Sequence, residues 1–136
     1  MLYMMHQIGN NMNFLDNFFG YLFTYYRKGK NEMYGLYSSL FAMTALFGLN
    51  FLVLRDVILK GNSTTYSTIE KYTVPTCILF LLYLRYNSRY KMVIKRFQLQ
   101  ANRVRKLVRI LSLVYVVLTI LSAIFMSYAI RNNIFN

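Results

Sequence analysis

The sequence predicts an all-α integral membrane protein. It expects an N-terminal interfacial amphipathic helix and three transmembrane helices, the second and third extending into a basic cytoplasmic hairpin. Three observations carry this expectation. Hydrophobic residues make up 57% of the 136 positions, and they fall in long blocks rather than in alternation. Only 15% of residues are charged, with 16 Lys and Arg against 4 Asp and Glu, a net charge of +12. After Pro75 the chain has no further Gly or Pro, so its second half reads as long helices. The same composition excludes intrinsic disorder, which needs low hydrophobicity. A single cysteine, Cys77, excludes a disulfide scaffold. A water-soluble globule is disfavoured by the blocks and by a mean hydropathy of +0.34.

Residues 1–30 read as a tail and an interfacial helix, and 31–136 as a three-helix domain with spans at about 33–54, 72–86 and 110–130. In the first segment Phe14, Leu15, Phe18, Phe19, Leu22, Tyr25 and Tyr26 share one helical face. Asp16, Asn17, Gly20, Thr24, Arg27 and Lys28 share the other. This apolar stretch covers ~21 Å of helix, too short to cross a bilayer, so it is expected to lie along the interface. Asn13 is its N-cap, with Asp16 at the positive end of the helix. No basic residue precedes the helix and no small-residue cleavage site follows it, unlike a signal peptide.

The first span, Met33 to Leu54, is uncharged between Glu32 and Arg55. Asn31 is expected to cap a helix that ends near Lys60, with Asp56 and Lys60 able to pair one turn apart. The second span is shorter. Val74 to Leu84 is apolar, Pro75 is placed in a first turn, and Tyr72, Tyr83, Tyr86 and a snorkelling Arg85 lengthen it. The third, Ile110 to Ile130, is uncharged and bracketed by Arg109 and Arg131. Helix two is expected to continue through Lys91 and Phe97, to turn near Gln100, Ala101 and Asn102, and to zip Tyr90, Val93, Ile94 and Phe97 against Val104, Leu107 and Val108. The loop from Gly61 to Lys71 is polar and external, and its Asn62-Ser63-Thr64 matches a glycosylation acceptor. With the N-terminus inside, twelve basic residues face the cytoplasm and four face out, so the N-in, C-out orientation is expected.

Enzymatic chemistry is poorly supplied. His6 is the lone histidine, Cys77 sits in an apolar span, and no metal cluster, phosphate loop or nucleophile motif is present. No enzyme and no cofactor is expected. Helix one carries Gly35, Ser38, Ser39, Ala42, Ala45 and Gly48, with small-xxx-small pairs Gly35/Ser39, Ser38/Ala42 and Thr44/Gly48. Such a face admits close helix packing, either within the chain or against a membrane protein partner or second copy. Thr119, Ser122, Ala123 and Ser127 form a comparable row on helix three. Asn50, the one amide in the first span, is read as an interhelical tie, with pore lining as the sharper alternative. Arg85, Arg89, Lys91, Lys95, Arg96, Arg103, Arg105, Lys106 and Arg109 contain no intervening acid. They suit anionic lipid heads or an acidic partner. Tyr86, Tyr90 and Phe97 interleave with them as on nucleic-acid surfaces, but snorkelling and interfacial aromatics explain that pattern, and no nucleic acid is expected.

An aromatic N-terminal helix, the basic break Arg27-Lys28-Gly29-Lys30, three spans, and Tyr86-Asn87 followed by Arg89-Tyr90 resemble a loose group of small uncharacterised bacterial membrane proteins. The resemblance implies a bacterial inner membrane and immunity or effector roles, and it carries over no functional residue. The expected function is non-enzymatic binding of another membrane component, as an immunity-type protein against a membrane-acting toxin or as an accessory subunit. The competing expectation is a self-assembling membrane effector that disrupts the bilayer or forms a pore, with Ser38, Ser39, Asn50 and the helix-three hydroxyls as a polar lining.

Overall fold

The computed structural model describes residues 12–59, 68–132 and 134. Among these residues every regular element is a helix: α1 Phe14–Arg27, α2 Glu32–Ile58, α3 Thr68–Tyr86, α4 Tyr90–Leu99 and α5 Asn102–Arg131. His6, Lys60 and the Asn62-Ser63-Thr64 triplet lie outside the described residues, as does any pairing of Asp56 with Lys60.

Two asparagines start the first two helices. The Asn13 side chain accepts from the Asp16 amide at 2.9 Å, and that of Asn31 accepts from the Tyr34 amide at 2.8 Å, each satisfying a donor with no partner inside its helix. Between them the chain reverses at Gly29, whose φ of +71° is the left-handed conformation that glycine adopts without steric cost. Phe23 and Arg27 then press on Gly35 at the start of α2, where an added Cβ would lie 3.2 Å from each. At its other end, Phe14, Phe18 and Phe47 of α2 all meet the Tyr115 ring. Thus α1 doubles back along the first half of α2.

This placement corrects the expectation that α1 lies on the membrane by its apolar face. Phe18, Phe19, Leu22 and Phe23 are buried in the main core with Leu36, Leu40, Met43 and Tyr86. A short helix with four buried aromatic or aliphatic anchors gains more by filling a protein groove than by floating at an interface, because both bury the same area but only packing adds close van der Waals contact.

α3 runs antiparallel to α2. Arg55 near the end of α2 bridges Glu70 near the start of α3 at 3.2 Å, and the Tyr37–Phe41 turn faces Leu79–Tyr83. Pro75 lies inside α3 and not in its first turn, which begins at Thr68. A proline there removes one backbone hydrogen bond and bends the helix.

α3, the expected second span, does not continue into a stalk. It ends at Tyr86, the chain turns through Asn87–Arg89, and α4 starts anew at Tyr90. The turn near Gln100–Ala101 is where the sequence places it. α4, however, makes its main contact with α1 and not with the start of α5. Gly20 explains the choice: a Cβ there would fall 2.6 Å from the Phe97 ring, so the missing side chain is the seat for Phe97. Val93, Ile94 and Phe97 are buried on α1, whereas Val104 and Leu107 remain exposed.

Among the described residues two helices, α2 and α5, are long and apolar enough to cross a membrane by length and composition. α3, with 19 residues that include Glu70, Lys71 and Arg85, falls outside that pair. α5 packs on α2 through one stripe, Val108, Ser112, Tyr115, Thr119, Met126 and Ala129, and leaves most of its circumference apolar and exposed.

Candidate functional site

Two surfaces present chemistry that the fold does not consume. One is basic and gathers around α4. The other is an apolar groove between α2 and α3.

The basic surface is built on a polar hinge. Asp16 Oδ1 accepts from the Tyr86 hydroxyl at 2.9 Å and from Arg85 Nη2 at 3.1 Å. The Tyr86 ring, with no exposed surface, stacks on Phe19 at 4.0 Å and 8°. Gln100 Nε2 donates to Asn17 Oδ1 at 2.8 Å, and Asn17 Nδ2 donates to the Met12 carbonyl at 3.1 Å. These contacts fix both ends of α4 to α1. The apolar side of α4 is thereby held inward, and Lys91, Lys95 and Arg96 are held outward.

Of the nine cations from Arg85 to Arg109, Arg85 is half-buried and pairs with Asp16. Arg105 is half-buried and donates to the Asn102 side chain. Arg89, Lys91, Lys95, Arg96, Arg103, Lys106 and Arg109 are exposed. Thr24, Arg27 and Lys28 line a shallow pocket with Gln98, which sets the basic α1–α2 turn beside α4. Arg27 itself lies 3.5 Å from Glu32.

The small-residue face of α2 is divided. Gly35 and Ser39 are buried, with Gly35 under α1, and the Ser39 hydroxyl donates to the Gly35 carbonyl at 2.6 Å. Ser38, Ala42, Gly48 and Asn50 are half-buried and Ala45 is exposed. Asn50 Nδ2 donates to the Tyr115 hydroxyl, tying α2 to α5. Around Gly48 an added Cβ would meet nothing within 4 Å. This open half borders a groove of about 580 Å³ whose far wall holds Val74 and Pro75, with Glu70 and Lys71 at one end.

Gly20, Tyr86, Asn17 and Gln100 set the position of α4, a role that their place in the sequence does not announce. A glycine amid the aromatics of α1 was the available signal, since no turn or cap there requires one. Among the described residues no three His, Cys, Asp or Glu side chains gather as a metal site, and Cys77 is an exposed thiol. No known protein family, curated protein or solved structure matches the chain.

Proposed function

We propose that this chain is a non-enzymatic, three-span membrane protein that binds another membrane component through the basic face around α4. In this reading α2, α3 and α5 cross the bilayer with the N-terminus inside and the C-terminus outside, in a bacterial inner membrane. The antiparallel run of α3 beside α2 supports a third crossing, and Arg85 sits at its inner end beside Asp16.

One observation carries the binding role. Of the nine cations from Arg85 to Arg109, Arg85 alone has a carboxylate within ion-pair distance among the described residues, and no acid follows Glu70 in the sequence. The remaining charges must be balanced from outside the chain. Anionic lipid heads contribute about 1 kcal/mol per Lys or Arg near the surface. An acidic cytoplasmic segment of a partner membrane protein meets the same face with directional ion pairs. An immunity-type protein and an accessory subunit are two forms of such a binder.

A self-assembled pore draws less support. The Ser39 and Thr44 hydroxyls donate to carbonyls of their own helix, and Asn50 is engaged by Tyr115, so these groups offer little to a lumen.

The test is the mass and composition of the particle extracted in native nanodiscs, for the wild type and for the triple variant Lys91→Glu, Lys95→Glu, Arg96→Glu. The expected result is a defined complex with a second protein that the triple variant loses. A homo-oligomeric ring that survives the charge reversal would replace this reading with the pore.

A further inference from the structure

We propose that the groove between α2 and α3 is a binding site for one phospholipid, its acyl chain along Gly48 and its phosphate at Lys71. The proposal rests on the membrane reading above and names a second membrane component at a surface separate from the basic face.

The groove exists for two reasons that the residues state plainly. On α2, Gly48 supplies no side chain, and Thr44 and Ala45 supply small ones. On α3, Val74 and Pro75 form the opposing wall, and neither has a long side chain to fill the gap. Beside the groove the Arg55–Glu70 pair joins the two helices at its charged end, and Leu40 of α2 and Leu82 of α3 belong to one buried core past its other end. The space is therefore a slot held open by rigid elements. Its volume of about 580 Å³ lies within the range of small-molecule sites, roughly 300–1,000 Å³. A whole helix, about 10 Å across, can only lie over it.

Length and charge select a lipid. The lining on α2 runs from Phe41 to Leu52, about 16 Å of helix at ~1.5 Å per residue. One leaflet of the hydrocarbon core is ~15 Å deep. The slot thus begins near the bilayer centre and ends at the charged boundary. Its walls are almost wholly apolar, and an apolar slot open to lipid is filled by methylenes. At its charged end Arg55 lies 3.2 Å from Glu70 and 3.6 Å from Asp56. Lys71 is exposed and makes no ion pair among the described residues, which leaves its ammonium for a phosphate.

The experiment uses the full chain in vesicles of phosphatidylethanolamine and phosphatidylglycerol that carry a phospholipid with a photoreactive group midway along one acyl chain. Labelled peptides are mapped after irradiation. The expected result is labelling concentrated on residues 41–52 and 74–75, above the exposed apolar face of α5. Gly48→Leu fills open space, leaves the fold intact, and cuts that labelling several-fold. Lys71→Gln cuts it less and leaves the α5 labelling unchanged. Even labelling of α2, α3 and α5 overturns the proposal, as does a Gly48→Leu variant that loses a bound protein instead of the label. A chain that fails to enter the vesicles at all overturns the membrane reading instead.

Discussion

At the scale of single residues, the clearest device is a missing side chain. Gly20 lets Phe97 sit against the α1 backbone, and the atoms that a Cβ would strike are the Phe97 Cβ and Cγ, the root of the side chain and not its movable end. Gly20→Ala is expected to destabilise the chain by about 1–3 kcal/mol, as overpacking does. Thermal unfolding in mild detergent measures this, and Phe97→Ala in the same chain should recover part of the loss. If the two substitutions simply add, the two positions do not touch. Asp16 makes a different kind of contact, serving as acceptor for two groups at once. Asp16→Ala leaves the Tyr86 hydroxyl and the Arg85 guanidinium short of a partner and is expected to cost about 1–3 kcal/mol. Asp16→Asn keeps an acceptor oxygen for Tyr86 and is expected to cost less, by the same melt. Between α2 and α5, Asn50→Leu removes the bond to Tyr115, and the loss should be about 0.6 to 2 kcal/mol for an interhelical tie in a bilayer.

The helices show what was legible in the sequence and why the rest was not. Both asparagine caps, the start of α2, and the Gln100–Ala101 turn follow from local chemistry, which a single chain displays. The start of α3 and the break at Asn87–Arg89 do not. Thr68 to Thr73 is polar enough to pass for loop, and Asn87-Ser88-Arg89 has no Gly or Pro to mark a stop. Partner choice was hidden for another reason. An apolar stripe on an amphipathic helix states that it is buried, not against what, so α1 reads as interfacial and α4 as half of a stalk. The placement of α4 is directly testable. In a Cys77→Ser background, Thr24→Cys with Gln98→Cys should join through a short bis-maleimide, since both residues line one pocket. A Gln98→Cys crosslink to Leu107→Cys in place of Thr24→Cys would restore the stalk. Of the candidate surfaces, the basic face was legible because charge is local. The division of the small-residue face into a covered half at Gly35 and an open half at Gly48 needed the positions of α1 and α3.

For the whole molecule, charge and length together argue for the proposed arrangement in a bilayer. α3 begins beside the end of α2, at the Arg55–Glu70 pair, and ends beside Asp16, at Arg85. Its 19 residues span about 28 Å, close to the ~30 Å hydrocarbon core. In the proposed arrangement α2 crosses, and α3 returns across the same thickness to the side where α4 and the first turns of α5 hold their cations. In that arrangement snorkelling would make its modest hydropathy tolerable, because Lys71 and Arg85 stand near its two ends and would reach opposite interfaces. The sidedness prediction follows. In intact cells, a membrane-impermeant maleimide should label Lys71→Cys and Asn132→Cys but spare Arg89→Cys, which becomes reactive only after the membrane is opened. Labelling of Arg89→Cys alone would invert the orientation, against an excess of twelve positive charges over four. Labelling of all three positions from one side would mean that α3 does not cross, and that its contact with α2 forms outside the hydrocarbon.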